Sequence, residues 1–311
     1  FHLLILFGLR LCYWVLRTAG WRIVVNAYGH PVRFIQLFQA RIAGHAISYL
    51  TPSSFLGGET VRTLMMKIPD RKKALASVIV DKTIELLAML SFLVAGFAIG
   101  IFRLAWPPRT IILSFSAVIV AASLVVVFYL QQKKGLLTWI FDTLERIRIR
   151  FSFIEKNRAK IKETDRLIMS FYKDHKVRFR RVFILYVFLV LFWAGEIHFT
   201  ILFLGAHGAS VLDSFLIVTL GILVFLLPTV PAALGTYELT YLGLFLVFGL
   251  GAGLGMAVTL LRRSLALFWA GIGLLAILKS QLEKTGKGGL FLYRSQKSDN
   301  DVKVVDQRGR Q

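Results

Sequence analysis

A chain of 311 residues that is 56% hydrophobic, yet carries 38 Lys+Arg against 17 Asp+Glu, has too many helix-length apolar runs for a soluble domain. It also confines its positive charge between those runs, which is not the pattern of a nucleic-acid binder. Its single cysteine, Cys12, has no partner for an intrachain disulfide or a thiolate metal cluster, and the composition is that of an all-α polytopic membrane protein.

Residues 1 to 16 form a first apolar segment. They lack a small-residue cleavage pattern and Arg10 interrupts the run, so a spanning helix is expected rather than a signal-peptide core. A basic stretch with Arg17, Arg22, His30 and Arg33 follows. Residues 33 to 50 read as a helix that stops at Thr51-Pro52, because the residue before a proline is pushed out of the α region. After Gly57-Gly58 a short helix restarts near Glu59 and runs to about Met66. Lys67, Arg71, Lys72 and Lys73 then return the chain to a basic surface.

Residues 74 to 102 read as one long helix with Asp81, Lys82 and Glu85 in its first half. Trp106-Pro107-Pro108 marks an interfacial turn, and 110 to 130 is an uncharged span. At about 1.5 Å rise per residue, both segments cross a hydrocarbon core of about 30 Å. Residues 131 to 181 change character, with 15 Lys+Arg, six Asp+Glu and intermittent apolar positions such as Leu136, Ile140 and Leu144. This linker is expected to lie as an amphipathic helix on an anionic membrane face, dividing a first membrane half, 1 to 130, from a second, 182 to 280.

The second half opens with 182 to 203, which contains Glu196 and His198, and continues through a turn at 204 to 210 and an apolar run at 212 to 227. A second break, Leu227-Pro228-Thr229-Val230-Pro231 to Gly235-Thr236-Tyr237-Glu238, repeats the grammar of the first, with a glutamate seven residues after a proline in each. A helix over 237 to 250, a glycine-rich turn over 249 to 255 and a last span over 256 to 278 complete it. Residues 281 to 311 are a basic polar tail, expected to be disordered beyond about residue 294.

Lys and Arg mark the cytoplasmic side of short loops. The linker and the segment 279 to 311 carry 15 and eight of them, while the turns at 204 to 210 and 249 to 255 carry none. That bias places the C-terminus inside. It makes 211 to 250 a re-entrant hairpin entering from outside and 33 to 66 one entering from the cytoplasm. The expected architecture is an inverted repeat with two opposed re-entrant helical hairpins, turning at Pro52, Gly57 and Gly58 and at Pro228, Pro231 and Gly235 and lining a cavity.

A charge in hydrocarbon costs roughly 2.5 to 3.5 kcal/mol on insertion scales, so it faces a partner or a wet cavity. Glu59 and Arg62, at i and i+3, are placed to pair. Glu238 has no cation nearby in sequence; Arg262 and Arg263 are the natural suppliers, and since adjacent helical residues diverge by about 100°, one is expected to serve the cavity and the other to snorkel outward. Asp81 and Glu85 share a face and are open to repelling each other, to pairing with Lys82 or Arg62, or to binding a lipid amine. Glu196 and His198 do not share a face, His45 reads as a packed histidine, and no metal-ligand, nucleotide-loop or catalytic-nucleophile spacing is present.

On the Thr51-Pro52 to Gly57-Gly58-Glu59 and Arg62 stretch, the Ala76-Ser77-Val78 run leading to Asp81 and Glu85, the Leu227-Pro228 to Glu238 stretch and Arg263, the chain resembles the lysylphosphatidylglycerol synthetase transmembrane-region family, also called the flippase-like domain family, as a stand-alone member without an attached aminoacyltransferase domain. The resemblance implies a multi-pass protein of the bacterial or archaeal cytoplasmic membrane that moves a polar-headed lipid between leaflets; the sequence carries no ATP-binding or cofactor motif, so no cofactor is expected. It implies a lipid substrate such as an aminoacyl-phospholipid, a polyprenyl-linked lipid or a hopanoid, and leaves an oligomer open. Glu59, Arg62, Asp81, Glu85, Glu238 and Arg263 are then the expected head-group groove. The competing expectations are an integral-membrane transferase and a non-catalytic anchor for a synthetase.

Overall fold

The computed structural model describes residues 2–51, 57–66, 68–103, 108–146, 152–226 and 233–308. Pro52, Pro228 and Pro231, three of the expected helix breakers, and Trp106-Pro107 of the expected turn lie outside the described residues. The described chain is helical, and five of its helices are long and apolar enough to cross a membrane. The spans are α1 (His2–Val25), α4 (Arg71–Arg103), α5 (Pro108–Gln132), α8 (Lys176–Phe203) and α11 (Ala252–Arg308). Between them lie two broken pairs, α2 (Phe34–Leu50) with α3 (Gly57–Met65), and α9 (Val211–Leu226) with α10 (Thr236–Val247), and a linker of α6 (Leu136–Arg146) and α7 (Ser152–Asp174).

Local sequence accounts for most of the boundaries. Thr51, ahead of Pro52, is extended at φ −105°, ψ 151° and ends α2, as the pre-proline restriction requires. Pro108 opens α5, the helical position where its missing N–H costs nothing. Gly249 and Gly251 take φ of +70° and +84°, which makes the turn into α11 a glycine turn. α1 runs nine residues further than the first apolar segment suggests, because Arg17 turns inward to a carboxylate instead of marking a loop. α11 continues to Arg308, so the backbone of the tail extends the last helix beyond residue 294; no proline interrupts it.

Three antiparallel pairings build the interior. Along α1 and α8, His2 stacks on Phe203 with ring centroids 4.3 Å apart, Arg10 meets Glu196 and Gly20 lies against Tyr186, so the numbers rise along one helix as they fall along the other. Along α2 and α11, Gly273 lies against Ile42 and Ala46, while Tyr49 reaches Arg263. Along α4 and α9, Gly96 lies against Thr219 and Arg103 sits 3.8 Å from Asp213. α2 of the first broken pair thus packs on α11, and α9 of the second packs on α4. α5 packs on α4 through Val118 and Val125, against Leu90, Leu93 and Phe97, and its Tyr129 meets Tyr172 of α7 and Phe179 of α8.

The linker departs from the expected surface helix. It is two helices, and the end of α7 inserts Ile168, Phe171 and Tyr172 into the largest core cluster, beside Val182 and Tyr186 of α8 and Val80 and Ile84 of α4. Leu137 of α6, beside the apolar positions that read as membrane-facing, packs against the same cluster, so this part of the linker lies on protein.

Candidate functional site

The polar interior is built in layers on α1. Arg17 and Arg10 lie seven residues apart, about 10 Å along a helix at 1.5 Å per residue. At the level of Arg17 the centre is Asp81, fully buried. Its Oδ2 accepts from Arg41 Nη2 at 2.9 Å and from Arg62 Nη2 at 2.5 Å, and its Oδ1 accepts from the Tyr186 hydroxyl. Arg62 also donates from Nη1 to Glu59 Oε2 at 2.8 Å. Trp21 lies against both guanidiniums, 5.1 Å from Arg41 and 4.1 Å from Arg62 at the ring centroid. Beside this cluster Glu85 accepts from Arg17 and lies 3.6 Å from Lys82 Nζ.

The first broken pair brings Arg41 and Arg62 together by close backbone approach. A Cβ on Gly58 would overlap the Gly44 carbonyl oxygen and the Ser48 hydroxyl, so glycine at 58 is what lets α3 fold back on α2. The two arginines then converge on a carboxylate from a third helix.

At the level of Arg10 the centre is Glu196. Its Oε1 accepts from Arg10 Nη2 at 2.6 Å and lies 3.9 Å from Arg262 Nη1. Arg262 Nε donates to the Tyr237 hydroxyl at 2.9 Å, and its guanidinium lies 5.2 Å from the Trp193 ring centroid.

The third group joins the two broken pairs. Arg263 donates from Nε to Glu238 Oε1, from Nη1 to the Tyr49 hydroxyl at 3.3 Å and from Nη2 to the Ala233 carbonyl at 3.4 Å. Tyr49 is in the last turn of α2, and Ala233 and Glu238 flank the start of α10. Glu238 also caps α10, accepting from the Gly235 N–H through Oε2 at 2.8 Å, with Gly235 at φ +80°. The Glu238 side chain is 19% exposed, against 0% for Asp81; Glu59, at the outer end of the Asp81 cluster, is 20% exposed.

All six expected groove residues thus bear ion pairs, but in three groups rather than one. Glu59, Arg62 and Asp81 come together, Glu85 stands beside them with Arg17, and Glu238 with Arg263 forms a separate contact. Arg262 departs from the expectation that one of the adjacent pair snorkels outward: it is 9% exposed, because α8 and α10 bring Glu196 and Tyr237 to its side of α11. His198 meets Ser214 Oγ at 3.0 Å, and His45 packs against Trp14 and Tyr49. Sequence reasoning missed Arg10, Arg17, Arg41, Tyr186 and Tyr237 as members of the polar interior. The three arginines sit inside apolar helices, and the cost of an unpaired charge in hydrocarbon is the signal that identifies them.

The family described as Lysylphosphatidylglycerol synthase TM region matches residues 1–273. A UPF0104 membrane protein of Methanocaldococcus jannaschii is 23% identical over 269 residues, covering 84% of this chain and 79% of the relative. A UPF0104 membrane protein of Methanothermobacter thermautotrophicus is 27% identical over 273 residues, covering 81% and 77%. No solved structure matches the chain.

Proposed function

This chain belongs to the lysylphosphatidylglycerol synthase TM-region family, and we propose that it translocates a polar-headed lipid between the leaflets of a prokaryotic cytoplasmic membrane, without chemical change to the lipid. The observation that carries this reading is Arg263, which ties Tyr49, at the end of α2 where the first pair breaks, to Glu238, at the start of α10 where the second pair resumes. A partly exposed ion pair at the meeting of two helix breaks supports a head-group path, because the charges there cost least when a polar ligand or water shares them. In the same reading the halves are an inverted repeat of opposed re-entrant hairpins; the antiparallel pairings of α1 with α8, α2 with α11 and α4 with α9 support it.

The substrate belongs to the class of aminoacyl-phospholipids, polyprenyl-linked lipids or hopanoids. The C-terminus is cytoplasmic in this reading, and the basic positions of α6 and α7 that face away from the core rest on anionic lipid. Reconstitution in liposomes with head-group-labelled lipids tests it. Translocation with no new lipid product is expected, and a Glu59→Ala, Glu238→Ala double variant is expected to slow it at least tenfold. A new lipid product would establish a transferase instead, and full transport by the double variant would remove these carboxylates from the path.

A further inference from the structure

We infer that Arg10, Arg262 and Glu196 form a binding site for a phosphate-bearing head group that also carries a hydrogen-bond donor. The inference rests on the translocation reading for its choice of a lipid over a soluble ligand, and on three atoms for its chemistry. Arg10 Nε, Arg262 Nη1 and Glu196 Oε2 are each buried and have no hydrogen-bond partner among the described residues. Arg262 Nη1 is 3.9 Å from Glu196 Oε1, beyond hydrogen-bonding distance. Buried groups in native structures are paired with few exceptions, and charged ones are the costliest to leave unpaired. Two donors and one acceptor of this kind around a single carboxylate form a coherent set.

The set specifies its ligand. Two guanidiniums face one carboxylate, which leaves local positive charge, and a guanidinium fork matches phosphate oxygens. Tyr237 holds Arg262 Nε and Trp193 lies against its guanidinium, so the η nitrogens are pre-aimed. A bare phosphate would meet the unused Glu196 oxygen unfavourably. A head group with an ammonium or hydroxyl beside its phosphate satisfies that oxygen and the guanidiniums together. The Arg10 side chain is 15% exposed, which gives a way in. The three residues come from α1, α8 and α11, so a ligand bound there touches both halves of the chain, at a level about 10 Å from the Asp81 cluster.

The test titrates the purified full chain in an uncharged maltoside detergent, following tryptophan fluorescence, with four probes: dihexanoyl-phosphatidylethanolamine, dihexanoyl-phosphatidylcholine, dihexanoylglycerol and inorganic phosphate. The ethanolamine lipid, which has both phosphate and donor, is expected to bind at least tenfold more tightly than the other three. Arg262→Gln is expected to lose that tenfold, and Glu196→Gln to remove the preference for ethanolamine over choline. Should either variant fail to fold, Arg262→Lys keeps the charge without the fork and is expected to weaken ethanolamine-lipid binding several-fold. Equal affinity for the three lipids, or indifference to Arg262→Gln and Arg262→Lys, overturns the site. Inorganic phosphate binding as tightly as the ethanolamine lipid overturns its assignment to a lipid. Translocation is not read in this experiment, so a chain that flips lipids but binds all four probes alike overturns the site alone, and one that discriminates but does not flip overturns the translocation reading alone.

Discussion

Asp81 shows how one residue organises a charged interior. Its carboxylate takes two guanidiniums and a phenol, and those partners come from α2, α3 and α8. Breaking a buried pair by removing one partner costs about 3–5 kcal/mol, since the other charge stays behind uncompensated. Asp81→Asn keeps the shape and removes the charge, so a loss of that size is expected, seen as a markedly lower Tm in detergent. An added Arg41→Gln is expected to recover part of it. Glu59→Gln, at the exposed end of the same chain of contacts, is expected to change stability by less than about 1 kcal/mol. Gly58→Ala tests the geometry behind the cluster: its Cβ meets backbone at Gly44, and overpacking of this kind costs about 1–3 kcal/mol. A Gly58→Ala protein with unchanged Tm would show that α2 and α3 do not need their close approach.

At the scale of elements, the linker is held by specific polar contacts as well as by its buried stripe. Asp165 of α7 caps α6, accepting from Leu137 N at 3.0 Å, Thr138 N at 2.7 Å and the Thr138 hydroxyl at 2.6 Å. Loss of such a cap costs about 1 kcal/mol, so Asp165→Ala is expected to speed amide exchange across 136–146 while leaving α4 protected. Burial pushes the Tyr172 phenol above its usual range; it stays protonated and donates to Gln132 Oε1 at 2.7 Å, while Gln132 Nε2 donates to Thr83 at 2.6 Å. These contacts mark the limit of what the sequence makes legible. The end of α2 at Thr51, the glycine turn at 249 and 251 and the five apolar spans follow from local rules and are readable. The inward turn of Arg17 depends on Glu85, 68 residues away, and that of Arg10 on Glu196, 186 away. No window on the sequence holds both partners. For the same reason the linker reads as lipid-facing: its intermittent apolar positions are visible, and the protein surface that covers Ile168, Phe171 and Tyr172 is not.

At the scale of the whole molecule, the pairings constrain how the chain crosses the membrane. Antiparallel packing of α1 with α8 means that the two halves begin in opposite directions, and parity does the rest. In the proposed topology one span, α8, separates the turn at 133 to 135 from the turn at 204 to 210, so those two turns face opposite sides. α11 then returns the chain to the side of the first. Under the same proposal the lysines of that first turn, Lys133 and Lys134, and the absence of any Lys or Arg from 204 to 210 put the first turn inside and the second outside. In a Cys12→Ser background, which removes the one native thiol, His207→Cys is expected to react with an impermeant maleimide on intact cells, and Lys134→Cys only after permeabilisation. A cysteine added after Gln311 is expected to behave like the one at 134. Labelling of 134 and 207 from the same side would mean that α8 does not cross, which would also remove the opposed orientation on which the inverted-repeat reading and the meeting of the two broken pairs at Arg263 depend.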